Sequence, residues 1–205
     1  MVEYYFSFIS LWSYIGSLVF QDLVKRTDVR VEFKPVDLMA VFAAGGGKPV
    51  RERPPQRQAY RLVEMERWKR IRGIPLVTWP KFYPADPSLG HRMVLAAINE
   101  GEDVAAFVHA GLKAVWADEL NVEDADTLIN LANASGLNGK SLLALAAEPE
   151  QIAREAGLTH EAIERQLFGA PFYFYRGEPF WGQDRLHQLE SAITSESSPI
   201  LPTRI

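Results

Sequence analysis

Two serines, Ser10 and Ser13, stand three apart where the aromatic run Tyr4-Tyr5-Phe6-Ser7-Phe8-Ile9 gives way to a helical pattern. A helix start presents free backbone N–H groups and the positive end of the helix dipole, so an anion placed there is stabilised. A thiolate in that position has a lowered pKa, and a serine hydroxyl can donate a hydrogen bond to it. Serine is also a preferred helix cap, and on local sequence alone capping is the simpler role for Ser10. Ser13 falls in the first helical turn and reads as a helix residue, not a catalyst. The 205 residues include no cysteine, so any sulfur chemistry at this junction must borrow its thiol from a bound molecule.

Two later segments could serve the same junction. In Gly169-Ala170-Pro171, a proline opens a strand opposite the helix start. A cis bond there would turn the N–H and C=O of Ala170 toward the site, to pair with an extended, peptide-like ligand as an added strand would. The competing reading is a proline that ends the preceding helix. In Phe180-Trp181-Gly182-Gln183-Asp184-Arg185, Asp184 at a helix start could accept from an α-amino group while free N–H groups hold its α-carboxylate. The competing reading is Gln183 or Asp184 as the cap of a helix behind a packed tryptophan.

Other chemistries find no support. His91, His109, His160 and His187 have no ligand spacing, so no metal site is expected. Gly45-Gly46-Gly47-Lys48 lacks the spacing and the trailing Ser/Thr of a phosphate loop. No Gly-x-Ser-x-Gly or Ser-His-Asp arrangement is visible. Trp68, Trp79 and Trp116 are expected in the core.

The elements that must position these residues follow from periodicity. Val2 to Ile9 is apolar on both faces, as suits a central strand. From Leu11 to Arg26, Ile15, Leu18, Val19 and Leu23 fall on one helical face. Val29, Val31 and Phe33 alternate with Arg30, Glu32 and Lys34, a half-buried strand. This β-α-β unit predicts a right-handed crossover between parallel strands. A glycine-rich loop and Pro54-Pro55 precede a helix over about 56–72. The stretch from Leu89 to Phe168 reads as almost pure helix, with Phe107, Val108, Leu112 and Val115 on one face and Thr159 as a candidate cap. Strands return at 171–175 and 179–181, before a final helix carrying Leu186, Leu189 and Ile193. The tail from Thr194 has little patterning.

The order is that of an α/β thioredoxin-like fold with a large all-helical domain inserted after the β-α-β unit. Residues 1–38 and 169–194 would form the discontinuous thioredoxin-like domain, 39–168 the loop and helical insert, and 195–205 a C-terminal tail. A net charge of −4 gives no electrostatic reason to bind nucleic acid. The basic cluster from Lys48 to Arg72, interrupted by Glu52, Glu64 and Glu66, reads as a solvated helix face. With no signal-peptide pattern and no membrane-spanning apolar run, a cytoplasmic protein is expected.

Together the segments resemble the 2-hydroxychromene-2-carboxylate isomerases and their kappa-class glutathione transferase relatives. The opening Tyr4-Tyr5-Phe6-Ser7-Phe8-Ile9-Ser10-Leu11-Trp12-Ser13-Tyr14 is similar to that family's F-Y-F-D-F-x-S-P-Y-S-Y. Gly169-Ala170-Pro171-Phe172-Tyr173 stands for its G-V-P-T-F, and Phe180 to Leu186 keeps its F-W-G-x-D-R-L. Gly47-Lys48-Pro49, Arg67-Trp68 and Gly73-Ile74-Pro75 extend the resemblance through the middle. It implies glutathione as cofactor, a small aromatic substrate and a homodimer. Ser10 is implied to hold the glutathione thiolate, Ala170 before Pro171 to pair with its cysteinyl backbone, Gln183 and Asp184 to meet its γ-glutamyl end, and Lys48 and Arg57 to approach its glycyl carboxylate. The activity implied is glutathione-dependent isomerisation in aromatic catabolism. Conjugation or peroxide reduction of the kappa type, or a non-catalytic binding module, are the competing readings. Leu11 replaces the family's proline, and Gly47 replaces an asparagine that contacts glutathione. Loss of such a hydrogen bond to a charged ligand costs about 1.5–3 kcal/mol.

Overall fold

The computed structural model describes residues 1–195 and 197–202. Strand β1 (Val2–Phe6) runs into helix α1 (Leu11–Thr27) and strand β2 (Val31–Pro35). Seven helices follow: α2 (Leu38–Ala44), α3 (Pro55–Arg72), α4 (Ser88–Asn99), α5 (Ala105–Trp116), α6 (Ala125–Ala134), α7 (Gly139–Ala146) and α8 (Pro149–Glu164). The chain then returns through β3 (Phe172–Tyr175) and β4 (Glu178–Trp181) to α9 (Leu186–Thr194). The sheet order is β2-β1-β3-β4. β1 is parallel to β2, with Val2 opposite Val31, and antiparallel to β3, with Tyr5 opposite Phe172. This is the expected thioredoxin-like fold, with its β-α-β start, helical insertion and closing β-β-α. Arg176 and Gly177, both at positive φ, turn β3 into β4, as a tight hairpin requires.

Successive β1 side chains point to opposite faces, and the core divides accordingly. Val2, Tyr4 and Phe6 join α1, α5 and α9 in the larger cluster, together with Phe107, Leu112, Trp116 and Leu128. Tyr5 joins Phe172, Phe174, Val41, Ala162 and Leu167 beneath α2 and α8. The inserted helices therefore share the core of the sheet. Charge is also bound into the second face. Lys34 Nζ donates to Glu3 at 2.8 Å and to Glu161 at 2.9 Å, and Arg165 bonds both Glu3 oxygens. Tyr5 donates to Glu161 at 2.5 Å, and the Arg165 guanidinium lies 3.7 Å from the Phe174 ring centre.

Three local expectations are corrected. Leu18 is exposed, because the buried face of α1 runs through Leu11, Ile15, Phe20 and Leu23. Thr159 caps nothing: it lies inside α8, donates to Glu155 O and accepts from Asp37 N–H. Trp79 is exposed, whereas Trp116 is buried. The tail expectation falls partly on residues 196 and 203–205, outside the described residues; Ile200 N–H reaches Glu178. Among the described residues, no helix is long and apolar enough to cross a membrane.

Candidate active site

The site is built around the turn between β1 and α1. Ser10 N–H donates to Ser7 O at 2.8 Å, and Tyr14 N–H closes the first helical turn on Ser10 O at 3.1 Å. Ser10 is the N-cap of α1 in extended conformation. Its Oγ accepts from Ser13 N–H at 3.2 Å and donates to the carbonyl of Ala170 at 3.0 Å. The hydroxyl thus both caps the helix and faces the start of β3. The amides of Leu11 and Trp12, at the first two helical positions, make no hydrogen bond among the described residues.

The same turn is fixed from the helical insert. His91, fully buried on α4, accepts from Phe8 N–H through Nε2 at 3.1 Å. That assigns the ring proton to Nδ1, which lies 3.1 Å from Glu155 Oε1 on α8. His91 therefore positions the backbone two residues before Ser10. Its sequence context gave no hint, since a histidine that accepts from a backbone amide has no motif.

The Ala170–Pro171 peptide is cis. Pro171 is buried, and its carbonyl accepts from Gly182 N–H at 3.0 Å, which ties the end of β4 to the start of β3. At Gly169 a Cβ would come within 2.8 Å of the Trp181 indole nitrogen, so only glycine lets this segment pass so close to Trp181. Gly16 of α1 does the same for Gln183, whose Cβ a side chain at 16 would meet at 2.6 Å.

Gly169 and Ala170 form part of the wall of a cleft of about 860 Å³. Trp12, Phe42, Phe168, Trp181 and Tyr60 also line it. Lys48, Arg53, Arg57 and Arg61 line it too. Arg57, Tyr60, Arg61 and Glu64 share one face of α3 at helical spacing. The cluster expected as a solvated helix face is therefore divided. Arg70 pairs with Glu66 at 2.8 Å on the outer side. Lys48, Arg53, Arg57 and Arg61 form no salt bridge among the described residues. Glu64, the carboxylate of the cleft wall, is taken by Arg67 and by Trp68 Nε1. Burial, with Arg57 nearby, lowers the pKa of Arg53; burial alone dominates for Arg61.

The residues singled out from the sequence are brought together in part. Ser10, Ala170 and Pro171 meet at the helix start, and Lys48 and Arg57 face the cleft that Ala170 lines. Gln183 and Asp184 stand apart from that cleft wall and cap nothing. They lie in a 3₁₀ turn before α9, whose N-cap is Arg185 without a side-chain bond. Gln183 is buried, and its Oε1 accepts from Arg72 Nη2 at 2.7 Å; Asp184 is exposed and pairs with Arg185 at 2.7 Å. Gly47 N–H donates to Phe42 O at 2.7 Å, and a Cβ at 47 would lie 3.2 Å from that oxygen. The loop thus approaches α2 more closely than an asparagine allows without a shift. Arg53, Arg61 and Trp12 were not singled out by the sequence, and Trp181, read there as packed, lines the cleft half-exposed; all four meet only across elements far apart in the chain. Among the described residues, no three His, Asp or Glu side chains cluster as metal ligands would.

This fold, with a serine at the helix start facing a cis-proline segment, defines a thioredoxin-type domain, and the DSBA-like thioredoxin domain family matches residues 1–194. A 2-hydroxychromene-2-carboxylate isomerase of Sphingobium xenophagum is 30% identical over 194 residues, spanning 94% of this chain and 97% of that protein. The Caenorhabditis elegans protein named glutathione S-transferase kappa 1 is 24% identical over 220 residues, spanning 100% of this chain and 94% of its own. The solved structure of a selenomethionine 2-hydroxychromene-2-carboxylate isomerase superposes with a TM-score of 0.77 at 28% identity, covering 94% of this chain and 93% of that one. The chain belongs to the DSBA-like thioredoxin domain family and, within it, to the 2-hydroxychromene-2-carboxylate isomerase family of enzymes.

Proposed function

We propose that the protein is a glutathione-dependent cis–trans isomerase of 2-hydroxychromene-2-carboxylate-type unsaturated keto acids. The observation that carries this reading is the Ser10 hydroxyl, set at a helix start against the Ala170 carbonyl, beside a cleft whose cations meet no carboxylate among the described residues. The names of the relatives support the substrate class and the thiol. The same kinship supports a homodimer and a cytoplasmic role in aromatic catabolism.

The residues present suit glutathione at several points. The Leu11 and Trp12 amides and the α1 dipole favour a thiolate. The Ala170 carbonyl offers an acceptor to the cysteinyl N–H, and Lys48 and Arg57 offer cations to the glycyl carboxylate. At the γ-glutamyl end, Gln183 has its Oε1 committed to Arg72, which leaves only its amide nitrogen to offer a ligand.

Bound glutathione would supply a thiolate for reversible addition to the unsaturated carbon; the displaced π electrons would pass to the keto oxygen and return as the thiolate leaves, with rotation about the single bond in between. Ser10 has a single hydroxyl proton, which rests on Ala170 O in the free protein. Rotation of that hydroxyl toward the sulfur stabilises the anion and frees Ala170 O for the incoming amide. Ser10 remains protonated throughout and acts as a hydrogen-bond donor. Trp12 and Tyr60 line the cleft beside the site.

The test is a glutathione titration, followed by the absorbance of a hydroxychromene carboxylate with and without glutathione. Binding and a glutathione-dependent spectral change are expected. No binding and no change would sink the reading. A kappa-type conjugation or peroxide reduction is the second reading, favoured by the Caenorhabditis relative. Product analysis separates them, because isomerisation returns glutathione unconsumed.

A further inference from the structure

Arg53 and Arg61 have no place in the contacts assigned so far. Arg53 Nε donates to Lys48 O at 2.8 Å, and its guanidinium lies 5.5 Å from the Phe42 ring centre. Arg61 lies 5.6 Å from the Trp116 ring centre, and Nη1 has only Met65 Sδ, at 3.1 Å. Both are half-buried, and neither meets a carboxylate among the described residues. A partly desolvated guanidinium without an anion is costly, and nearby like charges add to the cost. In a chain of net charge −4, this cleft concentrates the opposite sign. Such a wall focuses the field on an anionic ligand.

Charge matching shows what that ligand carries. If glutathione binds as proposed, its thiolate faces Ser10 and the α1 start, and its glycyl carboxylate faces Lys48 and Arg57. Two guanidinium groups remain beside the aromatic rings of Trp12, Tyr60 and Phe42. We infer that Arg53 and Arg61 form a second anion hold, which takes the carboxylate of a planar aromatic 2-oxo acid while its ring lies against the aromatic wall. The assignment rests on the proposed function for what fills the rest of the cleft, but the hold itself needs no thiol. A guanidinium fork suits a carboxylate bidentately. The fixed ends of the two arginines, on a ring and on a backbone carbonyl, reduce the entropy lost on binding.

The experiment measures binding of phenylpyruvate, an aromatic 2-oxo acid, and of phenylacetone, its neutral counterpart, to the thiol-free protein by calorimetry. Glutathione affinity is measured separately. For the wild type, phenylpyruvate binds and phenylacetone binds much more weakly. Arg61→Met and Arg53→Met each weaken phenylpyruvate roughly tenfold or more, and Arg61→Lys, which keeps a cation, recovers part of the loss. Glutathione affinity stays within about twofold in Arg61→Met; Arg53→Met also removes the bond to Lys48 O, so Arg61 carries the glutathione control. Melting temperatures identify a variant that has lost its fold, and Arg61→Lys then carries the comparison. Equal affinity of both compounds for the wild type would overturn the hold. So would a loss of glutathione affinity equal to that of phenylpyruvate, since the arginines would then serve the cofactor. Failure of glutathione to bind the wild type, with phenylpyruvate still discriminated by Arg61, would defeat the proposed function and leave the hold standing.

Discussion

Beneath α8, Lys34 meets the carboxylates of Glu3, Glu32 and Glu161, and Arg165 meets Glu3 and Glu161. In the cleft, Lys48, Arg53, Arg57 and Arg61 meet none among the described residues. Both clusters hold cations in partly buried surroundings, yet one is closed within the protein and the other is open. In the closed cluster, burial raises the Glu3 carboxyl, and hydrogen bonds from Arg165 and Lys34 more than offset it, leaving it below its ordinary 4.5. In the open one, burial and the neighbouring Arg57 outweigh the opposite influence of Tyr83 on Arg53, and its pKa falls. A charge partnered inside the chain joins helix to sheet. A charge without a partner leaves the electrostatic work to a ligand.

Substitutions should separate the two. Lys34→Met leaves Glu3 and Glu161 with one partner fewer in a partly buried setting, Arg165 remaining on both, and should cost about 1–3 kcal/mol of stability. Urea denaturation measures it, and activity of the folded fraction should hold. Arg57→Met, on the exposed lip of the cleft, should leave stability unchanged and weaken glutathione roughly fivefold, more at low salt. Calorimetry at two ionic strengths checks this. A large stability loss at Arg57, or none at Lys34, would erase the distinction.

Acid should open the closed cluster alone. Glu3 and Glu161 both lie below their ordinary 4.5 in the folded protein, since hydrogen bonds from their partners outweigh burial. The unfolded chain therefore takes up protons first as the pH falls. The stabilisation is fully present above the unfolded value and is lost as pH falls through the folded values. Melting temperature should fall as the pH drops below the ordinary carboxyl value of 4.5, and the slope should be shallower in Lys34→Met. An unchanged slope in that variant would place the acid sensitivity elsewhere.

The same contrast explains what the sequence disclosed. The β-α-β start was legible because Val31 and Phe33 alternate with charged residues and the α1 pattern is helical. The pairs Arg67–Glu64 and Arg70–Glu66 were legible because their three- and four-residue spacing is local. That Arg53 and Arg61 lack such partners was readable only once α3 was seen to cross the cleft. Ser10 was legible as a cap, and its second bond, to Ala170, spans most of the chain. Thr159 was misread because a threonine inside a helix donates back to the preceding turn, and nothing local distinguishes that from a cap. Asp184 misled for a related reason: its carboxylate is drawn to Arg185 rather than to the start of α9.

The central claim is that Ser10 and the α1 start hold a glutathione thiolate. The measurement is the ultraviolet thiolate absorbance of bound glutathione against pH, in wild type and in Ser10→Ala. Losing the cap costs about 1 kcal/mol, so the variant should stay folded. The bound thiol should ionise well below free glutathione. In the variant its pKa should rise by about 1 unit or more, with turnover slowed about 10²-fold or more. The same thiol pKa in both proteins would contradict it.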